Sequence, residues 1–235
     1  MEGLNNSSST LSTTPLINNG FQEVEEDSLD IFSRPARLLI CGSSDVGKSH
    51  LTERIILKYS HKFDVILICG VSTHPLEKNP QVSSKLVVSE EIVSPLNYKT
   101  KDSDSVLLVL DDCYKKAVDS ELVCNLFTRG RHSLISVIFV TQNIFSKGKH
   151  ARDITLNASH IIMLRTRDIS QVSTLARQIF GVEKAKEFIT IYKKLVLDVK
   201  FGYVLVDLTP YTSPQLQIRT FITDEKPYEV AIGWD

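Results

Sequence analysis

The sequence predicts an α/β fold in which a mainly parallel central sheet is flanked by helices on both faces. Short apolar runs alternate along the chain with segments whose apolar residues recur every three or four positions, the period of an amphipathic helix. The runs are continuously apolar rather than alternating, which is typical of strands that are buried on both faces. Strand–helix alternation of this kind indicates a parallel sheet.

Five apolar runs are predicted to be strands: residues 38–41, 65–68, 106–110, 135–140 and 161–164. A helix should follow the first strand, because Leu51, Ile55 and Tyr59 are spaced by four residues. Residues 70–104 contain prolines and polar residues with weak periodicity, and we assign them only to loops and short elements.

Two further helices should follow the fifth strand. Their apolar stripes contain Ile169, Val172, Ala176, Ile179 and Phe180 in the first helix, and Phe188, Ile189, Tyr192 and Leu195 in the second. Two late runs, 203–206 and 217–222, are predicted to be strands that could pair at the edge of the sheet.

Residues 1–30 differ in composition from the rest of the chain. They are rich in Ser, Thr and Asn, and they contain six acidic residues and no Lys or Arg. Such a segment buries too little apolar surface to offset the entropy lost on ordering, so we expect a disordered acidic arm followed by one domain over 31–235. Without the arm the net charge changes from −1 to +5, which is compatible with DNA binding but does not require it.

The cysteines and histidines show no metal-binding spacing. The four cysteines are far apart in sequence, and the histidines form no H-E-x-x-H or similar pair, so we expect buried free thiols and no structural metal. No apolar run reaches the ~18 residues of a membrane span, and the start of the chain lacks the features of a secretory signal. We therefore expect an intracellular protein that is not secreted and does not contact a membrane.

A phosphate-binding motif lies between the first predicted strand and the helix that follows it. The run matches G-x-x-x-x-G-K-[ST] and consists of Gly42, Ser43, Ser44, Asp45, Val46, Gly47, Lys48 and Ser49. The glycines allow amide N–H groups to turn onto phosphate oxygens, and the lysine supplies charge for the β- and γ-phosphates. The serine offers its hydroxyl to Mg²⁺ and begins a helix whose positive end faces the phosphates. The sequence therefore predicts a P-loop NTPase that binds ATP and Mg²⁺.

Two acidic residues follow the apolar strand 106–110. A carboxylate at the end of a strand beside a P-loop can hold the magnesium shell, and a neighbouring carboxylate can orient or deprotonate water. We assign the first role to Asp111 and the second to Asp112.

Three polar residues flank the strand 135–140. Gln142, just after the strand, could contact the γ-phosphate or the attacking water. Arg129 and Arg131, before the strand, could reach the phosphates of a neighbouring subunit and stabilise transition-state charge. The sequence does not decide which arginine does so.

These residues resemble a family, the FtsK/HerA-type packaging ATPases of DNA viruses, and in particular the poxvirus-type branch also found in Polinton (Maverick) elements. The similarity covers about residues 35–222. The matching pieces are G-S-S-D-V-G-K-S, L-L-V-L-D-D, T-R-G-R-H-S-L-I-S-V-I-F-V-T-Q-N, R-T-R-D-I-S-Q-V-S-T-L-A-R-Q-I-F and Y-V-L-V-D-L-T-P. The third piece, with its distance from the acidic pair, is much more specific than the first two.

The resemblance implies an ASCE/RecA-like P-loop fold and a ring of subunits that hydrolyses ATP between neighbours and moves double-stranded DNA into a preformed capsid. The family's functional positions correspond to Lys48, Ser49, Asp111, Asp112 and Gln142, and to Arg129 or Arg131 as a trans-acting arginine. Bacterial relatives carry Glu where this chain has Asp112. Capsid or portal proteins would be partners, and the protein would work in the nucleus, in a cytoplasmic viral factory or in the virion.

DNA contacts are predicted from basic residues alone. Lys147, Lys149, His150 and Arg152 follow the fourth strand, and Lys115 and Lys116 follow the acidic pair. In a ring these side chains could contact DNA phosphates without reading bases. An ordinary solvated loop accounts for them equally well.

Three other functions remain open on the sequence. A P-loop kinase would use the R-G-R-H segment as an arginine-bearing lid. A GTP-dependent switch is disfavoured because no N-K-x-D run is present to recognise guanine. A nucleotide-binding scaffold without catalysis is disfavoured because all the catalytic residue types are present.

Overall fold

The protein is described by a computed structural model, which covers residues 21–23, 30–145, 147–224 and 228–230. Ten strands in these ranges form one sheet in the order β1-β10-β9-β8-β7-β2-β6-β5-β3-β4. The strands are β1 (Phe21–Glu23), β2 (Arg37–Cys41), β3 (Val65–Cys69), β4 (Leu86–Ser89), β5 (Val106–Leu110), β6 (Ile135–Thr141), β7 (His160–Leu164), β8 (Tyr203–Asp207), β9 (Ile218–Thr220) and β10 (Tyr228–Val230).

The sheet has a parallel part and an antiparallel part that meet at β7. From β7 to β4 all neighbouring strands are parallel, whereas β8, β9, β10 and β1 are each antiparallel to their neighbours. The predicted mainly parallel sheet is thus confirmed for the part that carries the nucleotide motif. The predicted pairing of the two late strands is also confirmed, since β8 pairs with β9, but the pair is not at the edge of the sheet, because β10 and β1 lie outside it.

Helices cover both faces of the sheet, as predicted. They are α1 (Lys48–Tyr59), α2 (Tyr114–Asp119), α3 (Glu121–Arg129), α4 (Ala151–Leu156) and α5 (Ile169–Tyr192). Leu38 and Ile40 of β2 join α1 residues in one buried cluster, whereas Leu39 and Cys41 of the same strand join residues of α2–α5 in the other. The central strands are therefore buried on both sides, which explains their continuous apolar sequence.

The two apolar stripes predicted for the C-terminal helices belong to the two halves of α5, except for Leu195, which lies in a π-helical turn (Lys193–Leu197) directly after α5. Gly181 separates the halves, because its φ of 78° is not helical. Val172, Ala176 and Phe188 are buried as predicted. Ile169 is a correction: it is the first residue of the helix and is 42% exposed, so it does not belong to the buried stripe.

The predicted boundary of the N-terminal arm needs one correction. Residues 1–20 and 24–29 of the arm lie outside the described residues, so their predicted disorder stays a prediction. Residues Phe21–Glu23, however, form β1 and pair antiparallel with β10. Main-chain pairing of this kind does not depend on apolar side chains, so composition alone did not reveal it.

A buried ionic cluster lies in the antiparallel part of the sheet. The carboxylate of Asp207, the last residue of β8, accepts a hydrogen bond from Arg219 of β9 and lies 3.5 Å from Nε2 of His160 in β7. Burial by itself would raise the pKa of Asp207. The hydrogen bond from His160 and the charges of His160 and Arg219 outweigh that effect and hold the pKa well below its usual range. The cluster joins three strands, β7, β8 and β9.

Candidate nucleotide site

The motif 42–49 connects β2 to α1 at the carboxyl edge of the parallel strands. Its first residues are held by main-chain hydrogen bonds to the ends of both neighbouring strands. The amide of Gly42 donates to Thr141 O of β6 at 3.2 Å, and the amide of Ser43 donates to Arg165 O, just after β7, at 2.9 Å. Ligand sites in open α/β sheets lie at this edge, and the loop has the position predicted from the sequence.

Both glycines of the loop are required by its geometry. A Cβ on Gly42 would lie 2.9 Å from side-chain atoms of both Leu164 and Val46, which is too close for a real contact. Gly47 has a φ of 94°, in the left-handed region, and directly precedes the first residue of α1. Gly42 is therefore required by close packing, and Gly47 by a backbone conformation that favours glycine.

The side chain of Lys48 folds back over the phosphate-binding loop. Its Nζ donates to Ser43 O at 2.6 Å, which places the ammonium group over the main chain of residues 43–48. Burial lowers the pKa of Lys48, while the negative charges of Asp111, Asp45 and Asp112 act in the opposite direction. A phosphate group at this position would meet a partly desolvated positive charge.

Ser49 and Asp111 come together from different strands of the sheet. Ser49 is the second residue of α1, which follows β2, and Asp111 follows β5, yet Ser49 Oγ lies 3.5 Å from Asp111 Oδ2. Burial raises the pKa of Asp111, and the nearby charges of Lys48 and His74 oppose that effect. A hydroxyl and a carboxylate at this separation fit the oxygen ligands that Mg²⁺ prefers.

A close main-chain contact holds the acidic pair at the end of β5. Gly70 has a φ of 106°, and a Cβ there would lie only 1.9 Å from Asp111 O. The carboxylate of Asp111 also accepts a hydrogen bond from the amide of Asp112 at 3.0 Å. Asp112 is exposed and has a φ of 52°, a backbone conformation uncommon for a residue with a side chain. Its predicted role as a base stays a prediction.

Gln142 lies on the predicted side of the sheet. It directly follows Thr141, whose carbonyl accepts a hydrogen bond from the amide of Gly42, the first residue of the phosphate loop. The main chain of Gln142 therefore lies next to the start of that loop. Its side chain is exposed. The structure thus brings Gln142 to the same edge as Lys48, and its role stays a prediction.

Arg129 and Arg131 lie at the other edge of the sheet. Arg129 ends α3 and Arg131 lies in the turn 130–133, just before the amino end of β6. The phosphate loop is beside the carboxyl end of β6, a strand of seven residues that spans roughly 20 Å. The main chain at both arginines is thus separated from the phosphate loop by the length of β6, and action on a neighbouring subunit stays the prediction.

The basic residues predicted to contact DNA are only partly available. Lys147, Lys149 and Arg152 are exposed, as is Lys115. Lys116 is already paired, since its Nζ donates to Glu91 Oε1 at 2.8 Å. The loop that carries Lys149 is tied to α2, because the amide of Lys149 donates to Asp119 Oδ1 at 2.9 Å.

Four residues near the loop were not singled out from the sequence. A cleft of about 520 Å³ opens beside Ser43, Ser44 and Val46, and it is also lined by Arg165, Thr166, Arg167 and Leu197. Arg165 Nη2 donates to Leu197 O at 2.5 Å, and the amide of Arg167 donates to Ser43 Oγ at 2.9 Å. The sequence could have indicated them, because the segment R-T-R directly follows β7. The residues that follow two neighbouring parallel strands lie side by side, so this segment lies beside the phosphate loop.

Phe201 is a further residue near the loop that was not singled out from the sequence. It is 60% exposed, has a φ of 58°, and its ring is so close to Gly47 that a Cβ on that glycine would lie 3.1 Å from it. An exposed aromatic ring in an uncommon backbone conformation beside a nucleotide motif is a candidate for contact with the nucleotide.

Known proteins resemble the chain in part of its sequence and in its fold. Residues 74–174, less than half of the chain, match the family model described as Poxvirus A32 protein. The resemblance predicted from the sequence is confirmed there. No curated protein matches the chain.

Solved structures of a genome packaging NTPase share the fold. The NTPase is B204 from Sulfolobus turreted icosahedral virus 2. In complex with sulfate it is 16% identical over 80% of this chain and 96% of B204, with a TM-score of 0.54. In complex with ATP-gammaS it is 19% identical over 79% and 96%, with a TM-score of 0.52. The fold is therefore that of a P-loop ATPase, and with the A32 match it supports the predicted viral packaging ATPase of the FtsK/HerA type.

Within the ranges that the structure describes, every helix is too short or too polar to span a bilayer.

Proposed function

We propose that this chain is an ATP-hydrolysing motor that forms a ring and moves double-stranded DNA into a viral or element capsid. The observation that carries the proposal is the meeting of Lys48, Ser49 and Asp111 at one edge of the sheet. It is supported by the A32 family match over residues 74–174 and by the fold shared with a genome packaging NTPase. The protein would work inside the host cell or in the virion, with capsid or portal proteins as partners.

The phosphate chain of ATP would bind to the amides of 42–49 and to Lys48. Ser49 and Asp111 would hold Mg²⁺, which supplies positive charge to the β- and γ-phosphate oxygens. Asp112 would accept a proton from the attacking water, and Gln142 would orient that water. The exposed position of Asp112, next to the half-buried Asp111, suits a proton acceptor that must reach a water molecule from solvent.

The base of the nucleotide would lie in the cleft beside the loop. Leu197 offers apolar surface in the cleft, Arg165 and Arg167 offer charge, and the ring of Phe201 lies beside Gly47 of the loop. Stacking of a base on Phe201 would cover a ring that is now 60% exposed.

A second subunit would complete the site. Arg129 and Arg131 lie at the edge of the sheet opposite the phosphate loop, where a neighbour's nucleotide can approach them. An arginine provided in trans stabilises the charge that develops on the transferred phosphoryl group. DNA would pass near the basic loop at 147–152, held through its phosphates.

The first test is steady-state ATP hydrolysis with and without long double-stranded DNA. Wild type should hydrolyse ATP, DNA should stimulate the rate, and added salt should weaken the stimulation. Lys48→Ala should abolish turnover with a melting temperature within a few degrees of wild type. Lys78→Ala removes an exposed lysine far from the motif in sequence and should behave like wild type.

Two outcomes would contradict the proposal. Full turnover in Lys48→Ala would refute the phosphate site. A second contradicting result would be hydrolysis that is lost in Lys48→Ala but is not stimulated by DNA at any salt concentration. The protein would then be an ATPase, but the proposal of a DNA motor would be refuted.

A further inference from the structure

Three side chains with metal-binding chemistry meet between α3 and α4. They are Cys124 of α3, His150 just before α4, and Asp153 in the first turn of α4. A sulfur, an imidazole nitrogen and a carboxylate oxygen from these residues all lie within 4.8 Å of one another. They are distinct from Ser49 and Asp111, the residues proposed to hold Mg²⁺. Their spacing in the sequence did not reveal them, because β6 lies between the cysteine and the other two residues along the chain.

The imidazole of His150 is the second observation that points to a ligand. Its Nε2 is buried and has no hydrogen-bond partner in the part of the chain that the structure describes. A buried nitrogen without a partner is costly, and a bound cation would satisfy it. His150 also does not cap α4 with its side chain, although it occupies the position where a capping side chain would be expected.

The main chain around His150 is firmly placed. Its amide donates to Val118 O at 2.8 Å, and its carbonyl accepts from the amide of Ile154 at 3.0 Å. Gly148 permits this approach to α2, because a Cβ there would lie 2.4 Å from a side-chain atom of Val118. The backbone therefore holds the imidazole beside α3, and its Nε2 makes no hydrogen bond to the residues that the structure describes.

We propose that Cys124, His150 and Asp153 bind Zn²⁺, with water as the fourth ligand. A thiolate and an imidazole favour Zn²⁺ over Mg²⁺, which prefers oxygen ligands. Zinc bonds of about 2.0–2.3 Å place tetrahedral ligand atoms roughly 3.3–3.6 Å apart. Because the three atoms already lie within 4.8 Å of one another, each pair would close by at most about 1.5 Å on binding, a shift within reach of side-chain rotation. The Cys124 proton would leave to solvent as the thiolate binds.

A bound Zn²⁺ would hold Cys124 as the thiolate, because the positive charge of the ion stabilises the negative sulfur. The bound ion would join α3, which ends at Arg129, to the start of α4.

Thiol modification of the full-length protein tests the site directly. Cys41, Cys69 and Cys113 are buried and Cys124 is partly exposed, so fast reaction with Ellman's reagent reports Cys124. Zn²⁺ at ten times its dissociation constant should slow that reaction roughly elevenfold, because only about one molecule in eleven stays free. Mg²⁺ at the same concentration should not slow it. Absence of protection by Zn²⁺ would overturn the proposal.

Matched variants distinguish this site from zinc bound elsewhere. His150→Ala and Asp153→Asn should weaken the protection at least several-fold. His132→Ala and Asp102→Asn, which change an exposed imidazole and an exposed carboxylate, should leave it unchanged. Equal protection in all four variants would overturn the proposal.

A spectroscopic measurement on the wild type keeps the test valid if a variant fails to fold. Co²⁺ in place of Zn²⁺ should give a thiolate-to-cobalt charge-transfer absorption in the near ultraviolet, and excess Zn²⁺ should abolish it. Cys124→Ser should lose the band and Cys113→Ser should keep it. A wild-type protein that binds Co²⁺ without this band lacks a thiolate ligand, which would refute the site.

Discussion

Replacement of Asp207 by Asn should destabilise the protein strongly without touching the nucleotide site. The carboxylate accepts hydrogen bonds from Arg219, from the amide and hydroxyl of Thr209 at 2.9 and 2.7 Å, and from the hydroxyl of Thr212 at 2.9 Å. It also lies 3.5 Å from His160 Nε2. Asn keeps the shape of the side chain but removes its charge, so the buried guanidinium loses its carboxylate partner.

The expected decrease in the free energy of unfolding follows from the burial of the Asp207–Arg219 pair. The side chains of Arg219 and Asp207 are 2% and 5% exposed, so solvent screens their interaction little. Removal of one partner from such a pair typically costs about 3–5 kcal/mol of the free energy of unfolding. For a domain of this size, each kcal/mol lowers the melting temperature by about 2–4 °C, so we expect a decrease of roughly 6–20 °C.

Urea and thermal unfolding, followed by circular dichroism, measure the effect. Glu91→Gln is the matched control, because Glu91 pairs with Lys116 at 2.8 Å but the two side chains are 71% and 58% exposed. An exposed pair of this kind contributes about 0–1 kcal/mol. If Asp207→Asn and Glu91→Gln lowered the free energy of unfolding equally, the buried cluster would stabilise the fold no more than an exposed ion pair does.

The pH dependence provides an independent check of the same reasoning. The pKa of Asp207 is lower in the folded protein than the value of about 3.9 in an unfolded chain. Its contribution to stability is therefore fully present above that value and is lost as the pH falls toward the folded pKa. The advantage of wild type over Asp207→Asn should shrink as the pH decreases from about 5 to below 3. An advantage that stayed constant over this range would contradict the depressed pKa.

Three further predictions concern the nucleotide site. Gly70→Ala should abolish ATP hydrolysis and lower the melting temperature, because a Cβ would lie 1.9 Å from Asp111 O; normal turnover would show that the end of β5 is not as tightly constrained. Phe201→Ala should raise KM for ATP several-fold with little change in kcat, and an unchanged KM in steady-state assays would remove the ring from the base site. Mixing Arg129→Ala with Lys48→Ala subunits should restore part of the ATPase activity. If mixed rings assemble without any recovery, Arg129 is not the trans-acting residue.

The sequence predicted the central strands and the phosphate loop because each has a strong local signal. Continuous apolar runs mark β2, β3, β5, β6 and β7, and the spacing of Gly42, Gly47, Lys48 and Ser49 marks the loop. The meeting of Ser49 with Asp111 could be anticipated, since carboxyl ends of parallel strands share one edge.

Other features depend on tertiary contacts and could not be predicted. The short helices α2, α3 and α4 and the short outer strand β4 have too few residues for a clear period. Arg165 and Phe201 reach the loop only because β7 lies beside β2 and because the turn before β8 passes over Gly47. The Cys124, His150 and Asp153 cluster likewise exists only after α4 has packed on α3.

If Arg129 acts in trans as proposed, its placement opposite the phosphate loop would give each subunit a donor edge and an acceptor edge. Head-to-tail contacts between such edges form an open row or, if the rotation closes, a ring. A row always has one fewer complete site than it has subunits, whereas a closed ring has as many complete sites as subunits. Closure would therefore complete the last site without changing any single subunit, and specific ATPase activity would report whether the ring is closed.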